Sequence, residues 1–235
     1  MEKKIAIGIN GAQGKMGKVL RKAILKDGET FLSYAHDIKS QETSIKDLCK
    51  ETEVVIDFSS GKGCQELVES ALSCQGAKLL ICSTGMSAQQ MVILQHAATK
   101  IPILYAPNTS LGALLLAQLS QMAAKILDGK EFDVEIIDTH HKNKQDAPSG
   151  TALMIEQLLL MELKEKSNKP RVHLTSIRGG QVIGEHKVLF LGNAEEITIA
   201  HKVTDRSTFA KGALRAAKWL AQKKPGKLYT LQDTL

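Results

Sequence analysis

The residues best suited to chemistry lie in segment 138–152, whose sequence is DTHHKNKQDAPSGTA. Two imidazoles, His140 and His141, and two ammonium groups, Lys142 and Lys144, come shortly before a predicted helix start. Imidazole titrates near neutral pH, and ammonium groups attract anions. The segment therefore predicts a site that binds an anionic substrate and exchanges a proton with it.

The residues around this segment predict how it is held. Residues 133–137 alternate like a strand with one buried face, and residues 151–163 have the apolar spacing of a helix. Ser149 is the predicted N-cap, so the N–H groups of Gly150 and Thr151 would face an anion. The cluster would then lie in a strand-to-helix loop. The alternative is a solvated basic loop before a capped helix, because runs of charge are usually surface features.

A glycine-rich turn near the N-terminus predicts a nucleotide site. Residues 4–10 have the pattern of a short apolar strand, the sequence GAQGKMG follows, and a helical pattern comes next. The spacing of Gly11, Gly14 and Gly17 is related to the GxGxxG loop, in which glycines let the backbone approach a pyrophosphate. Taken alone, this spacing would be weak support for a nucleotide site.

The segments that follow strengthen the nucleotide prediction. Asp37 ends a second predicted strand, 30–36, and lies 20 residues after Gly17, where a carboxylate can bind an adenosine ribose. Further strands are predicted at 53–58, 78–82 and 101–105, separated by helices around 65–72 and 89–98. This alternation predicts an α/β fold with a doubly wound parallel sheet of the Rossmann type, and a ligand at the carboxyl ends of its strands.

Small polar segments follow three of these predicted strands. They are Phe58-Ser59-Ser60, Ser83-Thr84-Gly85 and Ala106-Pro107-Asn108-Thr109-Ser110. Each segment alone is more typical of a simple turn. Because the carboxyl ends of parallel strands meet at the edge where the glycine loop emerges, the three together favour a nicotinamide pocket.

The second half of the chain has a different organisation. Strands are predicted at 172–178, 182–191 and 196–203 with few helices between them, and a last helix is predicted at 207–222. A run of strands after a βαβ half predicts a separate, more open sheet. The sequence thus favours two domains of different architecture.

Composition narrows the class of protein. The 235 residues are 43% hydrophobic and have no apolar run that would span a membrane, which predicts a cytoplasmic globular enzyme. The net charge of +6 is dispersed and aromatic residues are few, so phosphates and small dicarboxylates are favoured over nucleic acid. The four cysteines form no CxxC pair and the histidines no HExxH motif, so neither a disulfide framework nor a metal site is predicted.

These motifs resemble those of the dihydrodipicolinate reductase family over nearly the whole chain. GAQGKMG is similar to the family's GxxGxMG loop, Ser83-Thr84-Gly85 to its second cofactor loop, and residues 105–110 to its hinge strand. The most specific likeness is in residues 140–151, whose sequence HHKNKQDAPSGT is similar to the signature HHxxKxDxPSGT. Residues 184–186 and 208–213 also follow the family pattern.

The resemblance implies an activity and a set of site residues. The activity is reduction of 4-hydroxy-tetrahydrodipicolinate, a small cyclic dicarboxylate, with NADH or NADPH in lysine and diaminopimelate biosynthesis. His140 would be the catalytic acid or base, and Lys144 the proton donor to the developing enamine nitrogen. The implied substrate-binding residues are His141, Lys144, Ser149, Gly150 and Thr151. The implied cofactor-binding residues are Gly11, Gln13, Gly14, Lys15, Met16, Asp37, Phe58, Ser83, Thr84, Gly85, Pro107, Asn108 and Thr109.

The resemblance also implies a domain plan. Residues 1–110, completed by 215–235, would bind the dinucleotide. Residues 111–214 would form an α+β substrate-binding domain whose open mixed sheet joins four subunits in a homotetramer. Hinges would lie near residues 108–112 and 210–215, so that the two domains close on one another.

Residues after Asp37 bear on the choice of coenzyme. Many relatives place a basic residue next, which favours a 2′-phosphate, whereas here Ile38 follows and the nearest cation is Lys39. This difference favours NADH, with NADPH accepted through Lys15 or Lys39.

Two other classes of protein would share part of this sequence pattern. Another nicotinamide enzyme, such as an aspartate dehydrogenase, would share the glycine loop but has no need for the paired histidines and the PSGT helix start. A non-enzymatic nucleotide-sensing regulator would keep the first domain and lose the proton donors. The intact histidine and lysine residues argue against both.

Overall fold

The computed structural model describes residues 3–40, 42–74, 76–163 and 172–235. They form two compact units, of which Met1–Thr109 with Arg206–Leu235 is the first and Ser110–Asp205 the second. The first unit begins with β1 Ile5–Asn10, α1 Lys15–Ile24, β2 Thr30–His36, α2 Ile45–Lys50, β3 Val54–Asp57, α3 Gly61–Cys74, β4 Lys78–Ile81, α4 Ala88–Ala98 and β5 Ile103–Tyr105. The second unit contains α5 Leu111–Leu127, β6 Phe132–His140, α6 Gly150–Glu162, β7 Val172–Arg178, β8 Gly184–Gly192 and β9 Glu196–Val203. The chain returns to the first unit with α7 Ser207–Ala221, β10 Leu228–Thr230 and a 3-10 helix, Leu231–Thr234.

The first unit is built on a parallel sheet with strand order β10-β5-β4-β3-β1-β2. All four residues of β3 are buried, so both faces of the sheet are covered at its centre. A strand that is buried on both faces has no alternation to show, which explains the continuous apolar sequences of β3 and β4. The predicted Rossmann-type doubly wound sheet is confirmed.

The second unit is built on a mixed sheet with strand order β7-β6-β8-β9. β6 pairs with β7 in parallel and with β8 antiparallel, and β8 pairs antiparallel with β9. Burial alternates along β6 and β8, and their buried residues share a core with α5 and α6 that includes Ile136, Val188 and Phe190. The two helices therefore cover one face, and the predicted open mixed sheet is confirmed.

The structure differs from the sequence predictions in three places. β6 continues to His140, so this histidine ends a strand and does not lie in the predicted loop. The short elements α2 and β10 were not predicted, because six and three residues are too few to establish a period. The chain returns to the first unit at Arg206 and not at residue 215, because α7 is one continuous helix that packs against α1, β3 and β4.

The predicted hinge residues 210–215 lie inside α7.

No helix within the described ranges combines the length and the apolar character that a membrane crossing requires.

Gly212 sets how closely α7 can pack. A Cβ atom built on Gly212 would lie 1.8 Å from the carbonyl oxygen of Thr109. We expect Gly212→Ala to lower the free energy of unfolding by about 3 kcal/mol through overpacking, although alanine in a helix interior would otherwise gain about 1 kcal/mol. Denaturant unfolding measures the change. Gly28→Ala is the control, because a Cβ there has no neighbour within 4 Å, and equal stability of the two variants would contradict this account.

Candidate active site

Strand β6 places two titratable residues beside the core of the second unit. Its alternation buries Ile136, Asp138 and His140 on one face, the face that α5 and α6 cover. A charged residue on the buried face of a strand requires partners, since burial of an unpaired charge is costly.

The neighbouring strands supply those partners through the sheet register. Ser176 on β7 and His186 on β8 lie directly opposite Asp138, and Arg178 lies opposite His140. The Ser176 hydroxyl donates to Asp138 Oδ2 over 3.2 Å. The rings of His140 and His186 meet edge to face, with centroids 5.3 Å apart.

Both carboxylate oxygens of Asp138 are engaged. Oδ1 lies 2.8 Å from His140 Nδ1 and 3.4 Å from His186 Nε2. Oδ2 accepts from Arg178 Nη2 at 2.8 Å and from the Ser149 N–H at 2.9 Å. Burial opposes ionisation of Asp138, but the contacts with His140, His186 and Arg178 outweigh it and hold its pKa well below the ordinary range.

Ser149 caps α6, as the sequence predicts. Its Oγ accepts from the N–H of Ala152 over 3.2 Å and lies 3.0 Å from His186 Nε2. Gly150 begins the helix, and a Cβ built there would have no neighbour within 4 Å. The start of α6 is therefore open beside Gly150, where the helix dipole favours an anion.

The loop between β6 and α6 holds the predicted lysine. Lys144 Nζ lies 2.8 Å from both carboxylate oxygens of Asp146. Burial opposes ionisation of Asp146, but Lys144 outweighs it and lowers the pKa of that carboxyl. Arg178 Nη2 also donates to the carbonyl oxygen of Asp146 at 2.6 Å, which ties the loop to the Asp138 cluster. His141 and Thr151 are each half-buried.

A metal ion fits this cluster poorly. Asp138, His140 and His186 each offer a ligand atom, and these atoms lie within 4.8 Å of one another. However, Asp138 Oδ2 is already occupied by the Arg178 guanidinium and the Ser149 N–H. The Arg178 guanidinium, 2.8 Å from Asp138 Oδ2, would repel a metal cation bound to the same carboxylate. The cluster is therefore better suited to proton transfer.

The glycine loop has the geometry that a dinucleotide requires. Gly11 has φ +83°, and a Cβ there would lie 2.8 Å from the carbonyl oxygen of Phe58. A Cβ on Gly17 would lie 2.3 Å from the carbonyl oxygen of Gly11, so only glycine permits this packing. Gly14 is the N-cap of α1 and provides no side chain to occupy the helix start. These features fit a pyrophosphate at the N-terminus of α1.

Asp37, the predicted ribose ligand, is hydrogen-bonded to the glycine loop. Its Oδ2 accepts from the N–H of Gln13 at 2.8 Å, and its Oδ1 accepts from the N–H of Lys39 at 3.1 Å. Each carboxylate oxygen keeps a further lone pair that a ribose hydroxyl can use. Asp37 therefore fixes the glycine loop to the end of β2.

Asp57, which the sequence analysis did not single out, joins three strand ends. This fully buried carboxyl at the end of β3 accepts from Asn10 Nδ2 at 2.8 Å and from the hydroxyls of Ser59 and Ser83, each at 2.5 Å. Burial raises the pKa of Asp57 even though these hydroxyls oppose the shift. The network ties the glycine loop to the predicted second cofactor loop.

The remaining predicted cofactor residues differ in exposure. Gln13, Gly14, Lys15, Thr84, Gly85 and Pro107 are exposed, Gly11, Met16, Phe58 and Asn108 are half-buried, and Asp37, Ser83 and Thr109 are buried. Thr109 Oγ1 donates to the carbonyl oxygen of Phe209 at 2.7 Å, so this hydroxyl is engaged within the first unit.

The sequence alone does not identify Asp138, Arg178 or His186 as site residues. One signal was present, because Asp138 lies two residues from Ile136 and from His140, on the same face of an alternating strand. Arg178 and His186 reach Asp138 only through the pairing of β7 and β8 with β6, and strand register is not written in the spacing of any one segment.

The fold and this site define a class. A Rossmann-type unit with a glycine loop, together with a unit whose helix start adjoins a buried aspartate–histidine cluster, is the plan of a nucleotide-dependent oxidoreductase with a separate substrate site. The chain matches "Dihydrodipicolinate reductase, N-terminus" over residues 5–109 and "Dihydrodipicolinate reductase, C-terminus" over residues 112–235. The chain belongs to the dihydrodipicolinate reductase family.

Individual relatives agree with this assignment. The chain is 41% identical over 238 residues to a 4-hydroxy-tetrahydrodipicolinate reductase of Rickettsia bellii, covering 97% of this chain and 94% of the relative. It is 37% identical over 246 residues to the enzyme of that name from Campylobacter lari, covering 98% and 99% of the two chains. A dipicolinate-bound dihydrodipicolinate reductase from Paenisporosarcina sp. TG-14 has a similar fold, with a TM-score of 0.77, 22% identity and coverage of 99% and 100%.

Gly184 keeps one edge of His140 uncrowded. A Cβ on Gly184 would lie 3.1 Å from His140 Nε2, the ring nitrogen that does not face Asp138. We expect Gly184→Ala to lower kcat roughly tenfold to hundredfold, because the methyl group would displace or cover the ring nitrogen that is predicted to exchange a proton with the substrate. Steady-state kinetics measure this effect. Gly179→Ala, with no neighbour within 4 Å of its Cβ, is the control. Wild-type kcat in Gly184→Ala would show that Nε2 does not face the substrate.

Proposed function

We propose that the chain catalyses the NADH- or NADPH-dependent reduction of 4-hydroxy-tetrahydrodipicolinate to tetrahydrodipicolinate, by way of dihydrodipicolinate, in lysine and diaminopimelate biosynthesis. One observation carries the proposal. The buried Asp138 carboxylate lies 2.8 Å from His140 Nδ1 and 2.9 Å from the Ser149 nitrogen, so a proton source and an anion-binding helix start share one anchor. Relatives named for this reaction support the choice of substrate.

A substrate with two carboxylates suits the local positive charge of residues 142–144 and the helix start that follows them. We assign carboxylate binding to Ser149, Gly150 and Thr151 at the start of α6, where the helix dipole favours an anion. His141 and Lys144 supply the mobile positive charge beside it. The Lys144–Asp146 pair has a half-exposed carboxylate, and exposed ion pairs are weak, so Lys144 can exchange Asp146 for a substrate carboxylate at little cost.

Proton transfer is assigned to His140 and Lys144. Loss of water from the hydroxy-imine requires a base for a ring C–H proton and an acid for the departing hydroxyl, and His140 Nε2 suits either role. When bound, the reduced nicotinamide supplies a hydride to the conjugated ring. One proton then completes the reduction, and we assign its delivery to the developing enamine nitrogen to Lys144.

The coenzyme is assigned to the first unit. The loop of Gly11, Gln13, Gly14, Lys15 and Met16 would hold the pyrophosphate, Asp37 the ribose, and the strand-end segments the nicotinamide. Those segments contain Phe58, Ser83, Thr84, Gly85, Pro107, Asn108 and Thr109. Ile38, which follows Asp37, leaves no cation at the position that favours a 2′-phosphate, so we propose NADH as the preferred coenzyme, with NADPH accepted through Lys15 or Lys39.

A homotetramer is the proposed assembly. On the face of the second sheet opposite α5 and α6, the side chains include Ile137, Ile177 and Leu189, of which Ile177 is 48% exposed. Such a partly apolar open face suits contact with other subunits. A cytoplasmic location stays a prediction from the sequence.

Turnover of the cyclic substrate tests the proposed function. An assay that generates the substrate in situ and follows NADH and NADPH oxidation separately is expected to show turnover with at least one coenzyme. The double variant His140→Ala, Lys144→Ala should lose roughly four orders of magnitude in kcat, because both proton donors are removed, while dinucleotide binding survives.

The chain offers a matched control for this variant. His96 and Lys100 have the same four-residue spacing and are both exposed on the first unit. His96→Ala, Lys100→Ala should therefore keep wild-type turnover. Unchanged turnover in the His140, Lys144 variant would reject the assigned proton donors.

Asp37→Ala tests the ribose assignment. The change removes the acceptor for the Gln13 N–H, so both coenzymes should bind somewhat more weakly because the loop loosens. NADH should lose roughly tenfold more affinity than NADPH, because only NADH offers a free 2′-hydroxyl to the carboxylate. Fluorescence titration of each coenzyme measures the difference. An equal loss for the two would refute the ribose role and leave only the loop contact.

A further inference from the structure

A row of polar side chains crosses the second sheet on its helix-covered face. Ser176, Asp138, His186 and His201 occupy successive register positions on β7, β6, β8 and β9. Within this row, Asp138 and His186 each contact both His140 and Ser149 at the start of α6, and the carboxylate of Asp138 makes the closer contacts.

We propose that Asp138 is the positioning residue of the reaction, fixing the tautomer of His140 and its placement relative to the N-terminus of α6. This inference rests on the proposed function, in which His140 transfers a proton and the α6 start binds a carboxylate. Asp138 itself is fully buried and acts through the groups that it holds.

The two oxygens of Asp138 divide this work. Oδ1 faces His140 Nδ1 at 2.8 Å, so the proton of neutral His140 resides on Nδ1 and its Nε2 is left to exchange a proton with the substrate. Oδ2 accepts from the Ser149 N–H at 2.9 Å and from Arg178 at 2.8 Å, which fixes the start of α6. Because one rigid group holds both, the separation between the proton source and the anion site is set by the carboxylate.

Charged and titratable groups surround His140 on neighbouring strands. Asp138 on β6 is the nearest charged group. Arg178 on β7 and His186 on β8 both lie against the Asp138 carboxylate. In the loop before α6, Lys144 and Asp146 pair with each other and largely cancel.

Asp138→Asn tests the proposal, with Asp133→Asn as its control on the exposed start of the same strand. In Asp138→Asn, kcat should fall roughly 100-fold and the substrate KM should rise, because donor and helix start lose their common anchor. Binding of NADH should be unchanged. Asp133→Asn should match the wild type in every measurement.

The outcomes separate this inference from the proposed function. No turnover by the wild-type protein would reject the function itself, whereas turnover by the wild type with unaltered kcat and KM in Asp138→Asn would overturn only the positioning role. If Asp138→Asn does not fold, nitrogen NMR of the wild-type His140 ring decides. A proton on Nδ1 in the neutral ring supports the proposal, and a proton on Nε2 overturns it.

Discussion

The site depends on one buried negative charge. Removing a carboxylate from water is costly, and the cost is met only when cationic and hydrogen-bonding partners surround it. Asp138 has the Arg178 guanidinium as its charge partner, the Ser149 N–H and Ser176 hydroxyl as donors, and the rings of His140 and His186 beside it. These partners come from three strands and the start of one helix. The geometry of the site therefore depends on the pairing of those strands and on the position of that helix. Loss of the carboxylate would leave Arg178 and the start of α6 without their shared acceptor.

In the first unit, glycine packing and buried carboxyl groups hold the loops in place. Its loop geometry is enforced by the absence of side chains at Gly11 and Gly17, where any Cβ would strike backbone atoms. Two carboxyls then join the loop to the sheet: Asp37 accepts from the Gln13 N–H, and Asp57 accepts from the side chains of Asn10 and Ser83. Backbone packing and a few buried acceptors thus prearrange the strand ends, which lowers the cost of ordering them around a coenzyme.

The sequence was sufficient for the architecture because the architecture depends on local periods. Alternation in β6 and β8, apolar runs in β3 and β4, and the glycine turn before α1 each predict their element from adjacent residues. α2 and β10 were not predicted because they are too short to show a period. The N-cap of α2 was nevertheless a usable signal, since Ser44 Oγ accepts from the Asp47 N–H at 3.0 Å.

The site was only partly accessible from the sequence. His140 and the Ser149 cap follow from residue type and local pattern. Arg178 and His186 do not, because they reach Asp138 through strand register, which depends on how distant segments pair. Asp37 illustrates the same limit, since its spacing predicted a ribose contact while its contacts with the Gln13 and Lys39 N–H groups depend on how the chain turns.

A crystal structure of the protein with pyridine-2,6-dicarboxylate and oxidised coenzyme would test the central claim most directly. The account predicts one carboxylate of the ligand on the N–H groups of Gly150 and Thr151, the ring beside His140 Nε2, and Asp138 still in contact with both His140 and the Ser149 nitrogen. A ligand bound away from the start of α6, or a His140 ring turned so that Nδ1 leaves Asp138, would contradict it.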